Sequence, residues 1–211
     1  MIIEPNILEN YGTKLVQLHK NEILFPEGGS ALFYYQVSKG IIKMNYNSQD
    51  GQEFVQGMFK DGESFGEPPL FANFIYPSNA VAVIDSVVWK LPKENFIRLL
   101  KENFELHLQF CAILSQRLQF KAMIAKEMSS HAPEHRILTL IDYFKEKAGP
   151  TKGQYYEVPF TRQQLADMAG LRVETVIRSV KALCEKKELK ILYSVSIKIL
   201  SKNEKRSGCK K

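Results

Sequence analysis

Between Glu22 and Leu91 the chain breaks into short apolar or alternating runs, ILF, LFYYQV, IIKMNY, EFVQGMF, AVAVI and VVWKL. The turn signals PEGG, SKG, SQDG, KDGE and YPSN separate them. No other feature constrains the fold as strongly. Short, evenly spaced strands punctuated by Gly and Asp predict an antiparallel sandwich or barrel. Parallel β/α alternation is excluded, because no helical segment is expected between these strands. Ahead of them, residues 1–20 predict a short amphipathic helical lead-in burying Leu15 and Leu18, with Tyr11 a further candidate.

A different texture follows. Pro92 is expected in the first turn of a short helix. From Asn103 to Met128 there is no Gly or Pro, and the helical pattern holds throughout, for about seven turns. One stripe of this helix runs Phe104, Leu108, Cys111, Ser115, Leu118, Ala122 and Ala125. A second runs Leu106, Phe110, Ile113, Phe120 and Ile124. A helix with two apolar stripes needs two partners. Its own β-domain and the same helix of a second subunit would supply them, with Ser115, Ala122 and Ala125 permitting close approach. The plainer alternative is an internal core helix. Ser129 to Pro133 interrupts the pattern, and Pro133 with Glu134 restarts it at a new N-terminus, which marks a hinge. The expected domains are therefore 1–102, 103–130 and 131–211. Helix 133–147 should bury Ile137, Leu140, Ile141 and Phe144.

Charge is divided as sharply as texture. Residues 150–211 hold 14 Lys/Arg against 6 Asp/Glu, whereas residues 1–149 hold 15 against 17. The net charge of +6 thus arises wholly in the C-terminal region, which points to a polyanionic partner. A solvated basic tail explains only some of it, because 152–200 stays positive without the terminal lysines. Within this region, Thr161 and Gln164 have the spacing of a capping box. Leu165 and Ala166 face inward, and Gly170 can take the positive φ that ends a first helix. A second helix starts near Arg172 or Val173 and buries Val176, Val180 and Leu183. That leaves Val173, Glu174, Ile177, Arg178 and Lys181 on the other side. Glu can accept from a cytosine amino group, and Arg can grip guanine bidentately. Two short helices with this outward face predict a helix-turn-helix reader of double-stranded DNA. Tyr155 to Pro159 and Leu189 to Leu200 predict a short strand and a two-stranded wing around it. The final residues from Asn203 are expected to be disordered.

Other classes lack support in the sequence. Cys111, Cys184 and Cys209 are far apart and form no C-x-x-C pair, so no disulfide framework, zinc site or iron–sulfur site is expected. There is no nucleophile–base signature, no phosphate-binding Gly loop and no metal-spaced cluster, so no enzyme is expected. No signal peptide and no membrane span are read, and a cytoplasmic location is the expectation.

A Gly-punctuated β-barrel, a long helix, a hinge and a winged helix-turn-helix, in that order, resemble the CRP/FNR family of bacterial transcription regulators. In the β-domain the resemblance rests on EILFPEGG, SKGIIKMNYNSQDGQE, KDGESFGEPPLF and AVAVID, and in the output domain on TRQQLADMAGL and VETVIR. Gly28, Gly40, Gly51, Gly62 and Gly66 stand where the family turns its strands. The implied fold is α+β: an antiparallel jelly roll of the cyclic-nucleotide-binding type, a long dimerisation helix and a winged helix-turn-helix. The implied function is a homodimeric regulator on a palindromic DNA site, with RNA polymerase as a further partner if it activates.

By position, Glu174 and Arg178 match the family's base readers. Val173 takes a place that FNR-like members fill with Val, and Ile177 could meet a thymine methyl. Arg162, Gln163 and Thr175 match positions that hold the phosphate backbone. Arg172 departs from the family's Ser or Thr cap, but it could reach a flanking phosphate, as could Lys181. In cyclic-AMP-binding members a Glu after Phe-Gly meets the ribose, and an Arg-Ser pair meets the phosphate. Gly66, Glu67 and Ser78 match this effector motif, but the Arg position falls on Pro77. Lys121 and Ala122 replace the hydroxyl residues that meet the adenine. Cyclic AMP is therefore not expected as the effector, and an FNR-type cluster lacks its N-terminal cysteines. Haem stays open through His19 or His107, although a lone histidine is far more often structural. A small-molecule effector thus remains unidentified. The competing functional class is a nucleotide- or haem-binding signalling module whose C-terminal domain does not read DNA.

Overall fold

A computed structural model of the chain describes residues 2–47, 53–130, 132–149, 155–193 and 197–202. They form two compact units, Met1–Leu118 and Gln119–Lys211.

The first unit opens with helix α1 (Pro5–Asn10) and strand β1 (Lys14–Leu18). The expected lead-in helix therefore stops early. Gly12 turns the chain in the left-handed region, and Leu15–Leu18 continues as a strand rather than a helix. Strand alternation buries Leu18 and leaves Leu15 exposed, which corrects the expectation for Leu15. Strands β2 (Ile23–Phe25), β3 (Phe33–Lys39), β4 (Ile41–Asn47) and β5 (Glu53–Lys60) follow. Next come β6 (Ser64–Phe65), the single-turn helix α2 (Pro68–Ala72), β7 (Asn79–Ala82) and β8 (Ser86–Pro92). The sequence pattern did not reveal α2, which a proline at its start initiates.

Two four-stranded sheets result, ordered β1-β8-β3-β6 and β2-β7-β4-β5. Every pairing within them is antiparallel, as the Gly-punctuated texture predicts. Side chains from both sheets, among them Leu18, Phe25, Val37, Ile42, Met44, Phe65 and Val88, form one core. A second core lies under helix α3 (Lys93–Glu102), where Phe96, Leu99 and Leu100 meet Ile3, Leu8, Tyr34 and Leu91. Pro92 is the cap before α3 rather than a member of its first turn.

Helix α4 (Phe104–Ser130) is continuous for 27 residues. The stripe expected to lie on the β-domain divides its contacts. Leu106 and Phe110 join the core under α3, whereas Phe120 and Ile124 pack on the core of the second unit. The helix ends near the predicted interruption, and α5 (Pro133–Ala148) begins at Pro133.

The second unit continues with β9 (Tyr155–Glu157), α6 (Arg162–Ala169), α7 (Val173–Glu185), β10 (Leu189–Tyr193) and β11 (Ile197–Lys202). Its sheet has the order β10-β11-β9, so the predicted wing gains β9 as a third strand. Ile137, Leu140, Ile141, Leu165, Val176, Val180 and Leu183 make an aliphatic core. Fully burying a side chain of this size contributes roughly 1.5–3 kcal/mol. Gly51, Cys209 and the segment from Asn203 lie outside the described residues.

Candidate nucleic-acid interface and the interior of the β-domain

Both helices of the candidate reader are defined by their ends. Thr161 Oγ1 accepts from the Gln164 backbone N–H at 3.1 Å, and the Gln164 side chain accepts from the Thr161 N–H at 2.9 Å. This is the capping box that the spacing predicts. Gly170 closes α6 at φ 62°, and the Leu171 N–H reaches the Ala166 carbonyl at 3.0 Å. Arg172 caps α7 with extended backbone and no side-chain hydrogen bond, as an arginine must. Its carbonyl accepts from Thr175 and Val176 instead, at 3.0 and 3.1 Å.

The outward face of α7 carries Glu174, Ile177, Arg178 and Lys181, all exposed. Ile177 is an apolar residue 44% exposed between two charges. Val173 is half-buried against the core rather than fully outward, and Thr175 is also half-buried. Among the flanking residues, Arg172 is exposed and Arg162 half-buried. The Arg162 Nε is buried and has no hydrogen-bond partner among the described residues. Burial pushes the nearby Cys184 thiol up, and the Arg162 charge pulls the other way. Gln163 is exposed, but its amide donates to Asp167 Oδ1 at 2.7 Å. At the start of α5, His135 Nδ1 lies 2.6 Å from Glu127 Oε2, which joins the end of α4 to α5.

The first stripe of α4 is solvent-facing throughout. Phe104, Leu108 and Leu118 are 66%, 48% and 69% exposed. Cys111, Ser115, Ala122 and Ala125 are exposed or half-exposed beside them.

The residues matched to the effector motif are arranged differently. Glu67 and Ser78 are fully buried. Arg117, on α4, donates from Nη1 to both Glu67 oxygens at 3.0 and 2.9 Å, and from Nη2 to the Ser64 carbonyl at 2.6 Å. Ser64 Oγ also donates to Glu67. Desolvation, followed by the Glu67 charge, holds the Tyr34 hydroxyl well above its ordinary pKa. Gly66 takes φ 73°, and a Cβ there would stand 3.0 Å from the Phe25 ring and 3.3 Å from the Tyr76 ring. Those two rings stack at 3.7 Å, with Tyr35 and Phe65 beyond them. Pro77, exposed, offers no charge, and Ser78 Oγ has no partner among the described residues. As they stand, these residues do not fit an anionic cyclic nucleotide. Lys121 and Ala122 are exposed on α4. Sequence reasoning missed Arg117, which belongs to neither apolar stripe of α4 and is flanked by the polar Ser115, Gln116 and Gln119.

Residues 15–103 match the model of the cyclic nucleotide-binding domain, and residues 135–204 match that of the Crp-like helix-turn-helix domain. A β-domain of the first kind joined to an output domain of the second defines a DNA-binding transcriptional regulator. The chain is 26% identical over 171 residues to the cyclic AMP receptor protein of Thermus thermophilus, covering 77% of this chain and 76% of that protein. It is 26% identical over 196 residues to the HTH-type transcriptional regulator ArcR of Staphylococcus aureus, covering 88% and 80%. A match to lysophospholipase nte1 of Aspergillus terreus, 23% identical over 126 residues, takes in 60% of this chain but only 8% of that protein. In fold, the chain is similar to the c-di-GMP responsive global regulator CLP of Xanthomonas campestris, with a TM-score of 0.74 and 21% identity over 94% of this chain and 99% of that one. The chain belongs to the CRP/FNR family of transcriptional regulators. Among the described residues, no helix is long and apolar enough to cross a membrane.

Proposed function

We propose that the chain acts in the cytoplasm as a homodimer on a palindromic operator, with Glu174 and Arg178 reading base edges in each half-site. One observation carries this reading: α4 packs Leu106, Phe110, Phe120 and Ile124 of one stripe on cores and leaves Phe104, Leu108 and Leu118 on the other exposed. The second copy's α4 covers that stripe. Two α7 helices then enter successive major grooves ~34 Å apart. Ile177 meets a thymine methyl, and Val173 borders the same contact. Arg162, Gln163, Arg172, Thr175 and Lys181 hold the phosphate backbone. The Ser129–Pro133 hinge sets the relative position of the two readers, and cyclic AMP is not the effector. If the protein activates, RNA polymerase is its further partner.

The test is Leu118→Glu with Leu108→Glu, measured by sedimentation and by binding to palindromic and half-site duplexes. Two carboxylates on the stripe should give a folded monomer that has lost its preference for the palindrome. A dimer that keeps that preference would overturn the reading.

A further inference from the structure

We propose that Leu32, the turn after α2 and the outer side of α3 form a docking surface for a short acidic segment of a partner protein that carries aromatic or leucine anchors. The surface belongs to the first unit alone. Neither the residues matched to the effector motif nor the DNA-reading helix takes part in it.

Its apolar part is the run from Phe71 to Ile75, exposed without a break. Phe71, Phe74 and Ile75, with Leu32, are large apolar side chains open to solvent, and none of them belongs to either core of the β-domain. Scattered singly, such residues need no explanation, but gathered in one place they mark a contact surface. The frame beneath them is fixed. Asn73 closes α2 in the left-handed region at φ 54°, with its N–H on the Pro69 carbonyl at 3.0 Å. Lys93 ties this turn to its neighbour, donating from its backbone N–H to the Leu32 carbonyl at 2.9 Å and from Nζ to Asn73 Oδ1 at 2.6 Å. Phe71 meets the buried Phe96 of α3 edge to face, with centroids 5.8 Å apart. The buried Tyr76 anchors the far end, its N–H on the Gly29 carbonyl at 2.9 Å.

The same lysine opens the charged part. With Glu94, Ile97, Arg98 and Lys101, Lys93 lines a hollow of about 480 Å³ on the outer side of α3. Among the described residues, none of Lys93, Arg98 and Lys101 is ion-paired, and within the hollow only Glu94 opposes them.

This charge decides the occupant. Carboxylates of an incoming segment meet the cations of α3 while its apolar side chains cover Phe71, Phe74 and Ile75, which pairs an apolar centre with a complementary rim. A second copy bound symmetrically through this surface would bring the two sets of cations together. A bilayer is too flat to enter the hollow, and its anionic headgroups would press on Glu94. A nucleic acid needs an extended positive field, whereas residues 1–149 hold 15 Lys/Arg against 17 Asp/Glu.

The experiment uses the full chain to select binders from short randomised peptides displayed on phage, which are then synthesised and titrated against it. The selected peptides should carry Asp or Glu beside Phe, Trp or Leu. Phe74→Ser should raise their Kd about tenfold. Lys93→Glu with Lys101→Glu should cost a similar factor and should accept the same peptide once its acids are replaced by Lys. Thermal stability and DNA binding should stay as in wild type in both variants. If Phe74→Ser does not fold, Ile75→Ser tests the same patch. The proposal is overturned if no peptide is enriched, if the enriched peptides lack acids, or if neither variant weakens them. Binding to phosphatidylserine–phosphatidylcholine vesicles that Phe74→Ser abolishes would overturn it in favour of a membrane. A Phe74→Ser chain that sediments as a smaller species than wild type would overturn it in favour of a second copy.

Discussion

The two units treat the polar side chains matched to an effector and to DNA bases in opposite ways. In the β-domain, Gln36, Ser64, Glu67 and Ser78 are all fully buried, and most of their polar atoms are engaged by neighbours of the same unit. Gln36 donates to the Ile3 carbonyl and accepts from the Ile3 N–H and the Tyr34 hydroxyl, at 2.8, 3.0 and 2.8 Å. The second unit buries Glu127, Asp167 and Ser179 as well, but the pair matched to base reading faces water. Glu174 and Arg178 are exposed, with no side-chain partner among the described residues. Polar groups turned inward and satisfied cost little and recognise nothing, whereas groups left unengaged are available to a partner. A match to a ligand-binding domain model therefore says less about ligand binding than the fate of the polar atoms does.

The largest expected effect that separates the units is alkaline unfolding. Burial raises Tyr35 to about 12 and pushes Tyr34 and Tyr76 well above the ordinary value too. All three belong to the β-domain. A group whose folded pKa lies above its unfolded value contributes stability that is complete below the unfolded value, near pH 10. That contribution is lost as pH rises through the folded value. The β-domain should therefore fail between about pH 10 and 12. Burial also raises Tyr143 and Tyr156 in the second unit, but the larger shifts lie in the first. The chain's single tryptophan, Trp89, is buried in the β-domain, so its fluorescence reports that unit while ellipticity at 222 nm follows the helices. Fluorescence should change at lower pH than ellipticity. A single coincident transition would break the comparison.

How much of this was legible beforehand follows from where each signal resides. The capping box at Thr161–Gln164, the left-handed Gly170 and the Val176, Val180, Leu183 stripe are local, and each stands in the structure as the spacing predicts. The sheets were legible because turn residues mark their ends. Strand β1 was misread because Leu15 and Leu18 have helical spacing, and only its pairing with β8 decides otherwise. The role of Arg117 was out of reach, since its partner lies 50 positions earlier and no local rule links the two. Val173 reads as outward on a wheel, but the core takes some of its surface.

A smaller effect should fall on DNA binding alone. Arg178→Ala should cost ~1–3 kcal/mol of affinity and relax one position of each half-site. The thermal transitions should not move, because the side chain is exposed and its loss leaves no buried group unpaired. Binding to a panel of single-base operator variants checks this. Uniform weakening across the panel would make Arg178 a phosphate contact and remove the base-reading assignment.

The smallest effect concerns Lys187 and sharpens the contrast between backbone and charge. Lys187 sits at φ 61° just past α7. Its N–H reaches the Cys184 carbonyl, and the Glu188 N–H reaches the Leu183 carbonyl, both at 3.0 Å. This paired closure ordinarily places a glycine at the left-handed residue. A lysine there is strained by ~1–2 kcal/mol, and glycine's greater freedom in the unfolded chain returns roughly half of that. Lys187→Gly should therefore stabilise the second unit by less than about 1 kcal/mol, with the Trp89 transition of the first unit unmoved. The same change removes an exposed positive charge beside the reading helix. If that charge meets a phosphate, the dependence of log K on log salt should become shallower by about one. A more stable domain that binds DNA more weakly would separate the two contributions at one residue. A less stable domain would show that the lysine side chain, rather than its backbone, closes the helix.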